Sequence, residues 1–176
     1  MHNYSELLTY CTSFTLTSLA ETNEKVIDRL QTSGATILVK TLQMIQLQKV
    51  IMAIGMFSLF ESMLQDELKC DDGFKDVKKI MLINNHLVLR EKFIDLEMAI
   101  NVLKHGRGKS YDTLIKKNGG TLKIYIKELN LENYEEGDVS EVNTLIFVDD
   151  VFINYCSEVI FEVSKVVKEI YPLVNL

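Results

Sequence analysis

Proline is almost absent from this chain: its 176 residues include one, Pro172, together with eight glycines. An all-β sandwich turns sharply many times and draws on both residue types at its turns, whereas helix interiors exclude them. The shortage of both therefore favours long helices before any periodicity is considered. Cysteine is also sparse. Cys11, Cys70 and Cys156 are far apart and odd in number, with no CxxC pair and no Cys/His cluster. That spacing excludes a structural zinc site and a disulfide framework, and it fits free thiols in a reducing cytosol. No metal or cofactor is expected.

A long apolar run is missing too. The most apolar stretch, residues 50–60, lies between Lys49 and Glu61 and is about half the length that a spanning helix needs. The first residues, MHNYSELLTYC, lack the basic start and continuous apolar core of a signal peptide. No membrane span and a cytoplasmic location are the expectations. What is present, 47% apolar and 25% charged residues, suits a single domain over residues 1–176 that buries about two thirds of its unfolded surface.

Punctuation along the chain marks the elements. Asn3 followed by Glu6 has capping-box spacing and opens a first helical region, with a break expected near Thr22-Asn23 and a stop at Thr32-Ser33-Gly34. Residues 35–69 form the strongest helical pattern: Leu47, Val50, Ile54, Phe57, Phe60, Leu64 and Leu68 make one apolar stripe. Met52, Met56, Leu59 and Met63 make a second, so this helix must be covered from two sides. A third region, residues 74–105, is interrupted at Asn84-Asn85-His86, carries a seam of Phe93, Leu96, Ile100 and Leu103, and stops at Gly106. Beyond it, residues 121–127 (TLKIYIK) alternate like a half-buried strand, with residues 144–148 (TLIFV) as a short partner. Asp149 or Asp150 then caps a last helix that ends at Pro172. The expected fold is an all-α helical bundle with a small β-hairpin insertion before the C-terminal helix.

Charge is uneven. Residues 104–127 hold seven Lys or Arg against one acid, Asp112, and residues 128–141 hold six acids and no base. A net charge of −6 argues against non-specific nucleic-acid binding by the whole surface but leaves room for a local basic patch. Helical spacing sets Glu97, Asn101 and His105 on one face at successive i, i+4 steps, with Lys104, Arg107 and Lys109 around the following glycine-spaced turn. A terminal histidine can equally bond the free carbonyls of its own helix, and loop lysines can simply be solvated.

The run NVLKHGRGKS, residues 101–110, after a long amphipathic helix resembles the N-x-[hydrophobic]-K-H-G-x-G-x-S segment of HEPN-like bacterial proteins. FESMLQDEL upstream and VDDVFINYCSEVIFEVSKVV downstream supply similar context. The resemblance implies a helical bundle that forms a homodimer, acts on RNA without metal, and belongs to a defence or toxin–antitoxin setting. In that family an arginine stabilises phosphate charge, a polar residue orients the groups, and a histidine acts as general acid and base. His105 and Asn101 match the histidine and the polar residue as catalytic candidates, while Lys104, Arg107 and Lys109 are the RNA-binding candidates. The arginine is missing, because Ile100 stands directly before Asn101, and Lys104, Arg107 or a partner-chain Arg90 would have to replace it. The resemblance thus implies a degenerate domain that binds RNA or a protein partner, such as an antitoxin. The alternatives are an active endoribonuclease using His105 and Asn101, and a homodimeric interaction scaffold without nucleic-acid contact.

Overall fold

Helix starts follow the local capping chemistry. In the computed structural model, which describes residues 3–117, 122, 125–127 and 142–176, the Asn3 side chain accepts the Glu6 N–H at 2.8 Å. That bond opens α1 (Tyr4–Leu30). Asp72 accepts from the Lys75 N–H at 2.8 Å and opens α3 (Gly73–Ile83). Asp149 accepts from the Phe152 N–H at 2.7 Å and opens α6 (Asp150–Ile170). Each bond satisfies one of the amide donors that a helix start leaves without an internal partner.

Between these lie α2 (Thr36–Leu68), α4 (Leu87–His105) and α5 (Lys109–Lys116). The expected interruption at 84–86 is present: Asn85 takes a left-handed φ of 62°, a conformation Asn tolerates better than most residues. The expected break near Thr22 is absent, and α1 runs through it. There the Thr22 hydroxyl donates back to the Ser18 carbonyl at 2.9 Å, so the polar side chain is satisfied inside the helix instead of ending it.

The β-hairpin insertion is not formed. Among the described residues there is no strand, only an isolated antiparallel bridge between Ile126 and Ile146, with the Lys127 N–H on the Leu145 carbonyl at 3.0 Å and the Phe147 N–H on the Tyr125 carbonyl at 2.7 Å. The alternation that suggested a strand fails at Tyr125. Expected on the outer face, it is buried with its ring 5.2 Å from that of Phe152, so Tyr125 packs on α6. Thr121, Lys123 and Ile124 of the expected strand, and the acidic run from 128 to 141, lie outside the described residues. The bundle itself is as expected.

α1 and α2 form an antiparallel pair. Tyr4 donates its hydroxyl to the Met56 carbonyl at 2.9 Å and stacks on Phe60 at 6.2 Å. α6 covers both, starting where Lys49 of α2 meets Asp150 at 2.7 Å, and the chain end returns to α1 through the Ser5 hydroxyl on the Leu176 carbonyl. At the centre Phe57, Phe60, Phe74 and Phe93 form one contiguous aromatic cluster from α2, α3 and α4. The two expected stripes of α2 are therefore sorted unequally. Val50, Phe57, Phe60 and Leu64 are buried together with Met56, Ile54 and Leu68 are half-buried, and Leu47 and Leu59 are exposed. By length and composition alone α2 could cross a membrane, with mean hydropathy 1.4 over its most apolar 18 residues. Core helices of bundles pass the same test.

Burial pushes the Tyr4 phenol up from 10.0 to about 12, because the ionised ring would lose water and the Met56 carbonyl can only accept. Its neutral form therefore stabilises the fold fully below pH 10, and that contribution is lost as pH rises from 10 through 12. Discounted for partial exposure, we expect ~1 kcal/mol. The comparison is base-induced unfolding of Tyr4→Phe, whose stability should converge on the natural protein's across that window.

Candidate functional site

α4 and α5 make a short helical hairpin whose tip is the sequence KHGRGK. Its antiparallel course is set by Lys117, just past the end of α5, which reaches back to Asp95 at 3.2 Å and Glu91 at 3.3 Å on α4. Desolvation disfavours the Lys117 charge, yet the two carboxylates outweigh it and raise its pKa. Tyr111 and Leu114 are buried against the bundle, and Tyr111 donates its hydroxyl to the Lys127 carbonyl at 2.9 Å. The tip therefore stands on a packed base.

The turn is made by Gly106, whose φ of 73° lies in the left-handed region where a side chain is strained. Its N–H closes α4 on the Val102 carbonyl at 2.8 Å. Gly108 precedes α5 and has no side chain to cap it, so the first amides of α5 lack the partner that Asn3, Asp72 and Asp149 provide elsewhere. Lys104, His105, Arg107 and Lys109 are all exposed around this start, and Asn101 is half-buried one turn earlier. Among the described residues no ion pair is recorded for Lys104, Arg107 or Lys109.

The sequence candidates are thus brought to one end of one hairpin, but not into a catalytic constellation. His105 makes no side-chain hydrogen bond among the described residues, to Asn101 or to a helix carbonyl, so neither the catalytic geometry nor the capping alternative is built. Glu97, on the same face, is held by Lys78 at 2.7 and 2.9 Å. Arg90 lies fifteen residues before His105 in the same helix, roughly 22 Å away along the axis, with its guanidinium on Glu91 at 2.9 Å. Within one chain it cannot replace the missing motif arginine. Among the described residues no cluster of three or more His, Cys, Asp or Glu could hold a metal. A cleft lined by Gln46, Val50, Lys127, Thr144 and Phe147 shares no residue with the tip.

α5 is what sequence reasoning missed. Its apolar Tyr111, Leu114 and Ile115 have i, i+3, i+4 spacing, but eight residues between a glycine pair and a lysine run offer too little periodicity to separate from a loop. No family model matches the chain, and neither a curated protein nor a solved structure gives a significant match.

Proposed function

We propose that this chain is a HEPN-like helical module that binds RNA at the α4–α5 tip without cleaving it. The observation that carries the reading is the tip itself: three exposed cations, with no ion pair among the described residues, surround a helix start with no side-chain cap. Free amides and the positive end of the helix dipole favour phosphate, and lysine and arginine add mobile charge around it. Gly106 and Gly108 keep the backbone open to a close-lying phosphate. The wider setting in the proposal, a cytoplasmic defence or toxin–antitoxin component, rests on the motif resemblance alone.

Cleavage is left out because its geometry lacks parts. A general acid or base needs its proton held in place by a second group, and the developing phosphate charge needs a cation beside it. Among the described residues no second group is hydrogen-bonded to the His105 side chain, and the position before Asn101 is Ile100.

The test is fluorescence polarisation with a single-stranded RNA oligomer in excess chelator across a salt series. Three phosphate contacts predict a slope of log affinity on log salt near −2, and Lys104→Ala, Arg107→Ala and Lys109→Ala should each flatten it by roughly 0.7. His105→Ala should leave stability within about 0.5 kcal/mol, as exposed substitutions do, and should leave binding nearly unchanged. Salt-insensitive binding, or none, would sink the reading. Chelator-resistant cleavage lost on His105→Ala would replace it with the endoribonuclease.

A further inference from the structure

We propose that the turn joining α3 to α4 seats on the surface of an anionic lipid bilayer, with Leu82, Ile83, Leu87 and Val88 entering the headgroup layer. The inference rests on this turn alone and is independent of RNA binding, whose proposed site lies at the other end of α4. Leu82, Ile83, Leu87 and Val88 are 52%, 81%, 48% and 74% exposed. They fall within seven consecutive residues, two on each side of Asn84-Asn85-His86. Met81, just before them, is fully buried, and farther back the rings of Phe74 and Phe93 pack 5.1 Å apart. The apolar turn is therefore held on a fixed base.

The size of this patch points to a bilayer rather than a protein. Its four residues expose on the order of 450 Å², well short of the about 800 Å² that each partner of a specific protein interface buries. They also stand on both sides of a turn rather than along one helix face, so a groove would cover only some of them. A fluid layer has no shape to match and can surround all four.

Entry into such a layer favours backbone groups that are already paired within the chain. Here the Ile80 carbonyl accepts from the Asn84 N–H at 3.1 Å and from the Asn84 side-chain amide at 2.8 Å. The Met81 carbonyl accepts from the His86 N–H at 2.8 Å, and the Leu82 carbonyl from the Asn85 N–H at 3.3 Å. The left-handed Asn85 makes this pairing possible, so α3 ends with these carbonyls satisfied. α4 begins without a side-chain cap. Its first amides therefore hold the turn at headgroup depth, where phosphate or water bonds them.

Charge selects the lipid. The chain carries −6 overall, yet residues 77–90 hold Lys78, Lys79 and Arg90 and no acid. These cations are paired with Glu97, Asp76 and Glu91 respectively. In every pair the acid stands farther from the turn along its helix than the cation does, so all three pairs point their positive ends toward the apolar residues. The Lys79–Asp76 pair is exposed and therefore weak, which leaves Lys79 able to turn to a lipid phosphate. Lys92 adds a cation with no ion pair among the described residues. The field at the turn is thus positive, opposite in sign to the net charge and complementary to phosphatidylserine.

Flotation of the full chain with vesicles of about seven parts phosphatidylcholine to three of phosphatidylserine tests this. The natural protein is expected to float with them, and high salt or pure phosphatidylcholine should weaken binding at least about tenfold. Ile83→Ser and Val88→Ser should each weaken it about fivefold or more, with unchanged helical circular dichroism because both side chains are exposed. Lys92→Gln should cost about fivefold. Ile51→Ser, on an exposed side of α2, and Lys109→Ala, at the α4–α5 tip, should change nothing. The chain has no tryptophan, so Ile83→Trp places a sole reporter in the turn, and its emission should move to the blue when vesicles are added. Protein that does not float overturns the proposal, and so does binding that is equal on phosphatidylcholine alone or indifferent to both serine variants. Tryptophan emission that stays put overturns it as well, and binding lost on Lys109→Ala assigns the vesicles to the basic tip instead. If either serine variant loses its helical signal, that side chain is packed within the chain and the proposal falls.

Discussion

Phe93→Ala is expected to destabilise the protein by about 3–5 kcal/mol, the largest effect of any single truncation considered. Phe93 is fully buried, and its ring lies 5.1 Å from Phe74 at an interplanar angle of 89°, 6.0 Å from Phe57 and 6.4 Å from Phe60. Truncation removes the transfer contribution of the ring and three aromatic contacts, and it leaves a cavity between three helices. The walls of that cavity cannot collapse together, because each is fixed by its own helix. Against a typical total of about 5–15 kcal/mol, the loss is large, and for a chain of this size it lowers the melting temperature by about 10 °C. Urea unfolding measures it directly: the midpoint should fall while the slope holds. A midpoint within error of the natural protein's would show that α2, α3 and α4 do not share this core.

Gly73→Ala should cost roughly 2–3 kcal/mol, and Gly73→Val should leave little folded protein. A methyl group at position 73 would lie 2.7 Å from the Leu64 Cβ, 2.9 Å from the Glu61 carbonyl oxygen and 3.1 Å from the Gln65 amide nitrogen. None of these is the free end of a flexible side chain, and Leu64 is itself fully buried. Relief therefore requires α3 to move off α2, which opens the aromatic cluster through Phe74. The backbone torsion of Gly73 is not the constraint. The closeness of two helices is, so Gly73→Ser should be as costly as alanine, although serine suits a helix start. Thermal melts of the three variants decide this, and an unperturbed Gly73→Ala would mean that α3 sits farther from α2 than described.

Helix ends were legible because their causes are local. Asn3, Asp72 and Asp149 bond amides three residues ahead, and Gly106 turns its own backbone, so neighbours in sequence suffice to place them. The tip candidates were legible for the same reason: six consecutive residues at the end of α4 stay together whatever the rest of the chain does. Their chemistry was not. Whether His105 meets Asn101, a carbonyl or solvent depends on how α5 packs, and whether a lysine is free depends on carboxylates distant in sequence. Lys117 and Lys109 look alike in the sequence, yet one is held by Glu91 and Asp95 of α4 and the other stands in solvent.

The segment around 121–127 shows the limit from the other side. Alternation of apolar and polar residues predicts a half-buried strand only if a partner strand accepts its hydrogen bonds, and Ile146 supplies a single bridge. Tyr125 gained more by burying its ring against Phe152 than by keeping its place in the alternation. By itself the sequence determined that the chain is helical, where most helices begin and end, and that α2 is apolar on two faces, since propensity, capping and periodicity act within a few residues. Only the tertiary structure decided which face of α2 is covered and which is left to solvent. That choice depends on where α1, α3, α4 and α6 lie, and their positions come from shape and packing across the bundle rather than from any property of α2.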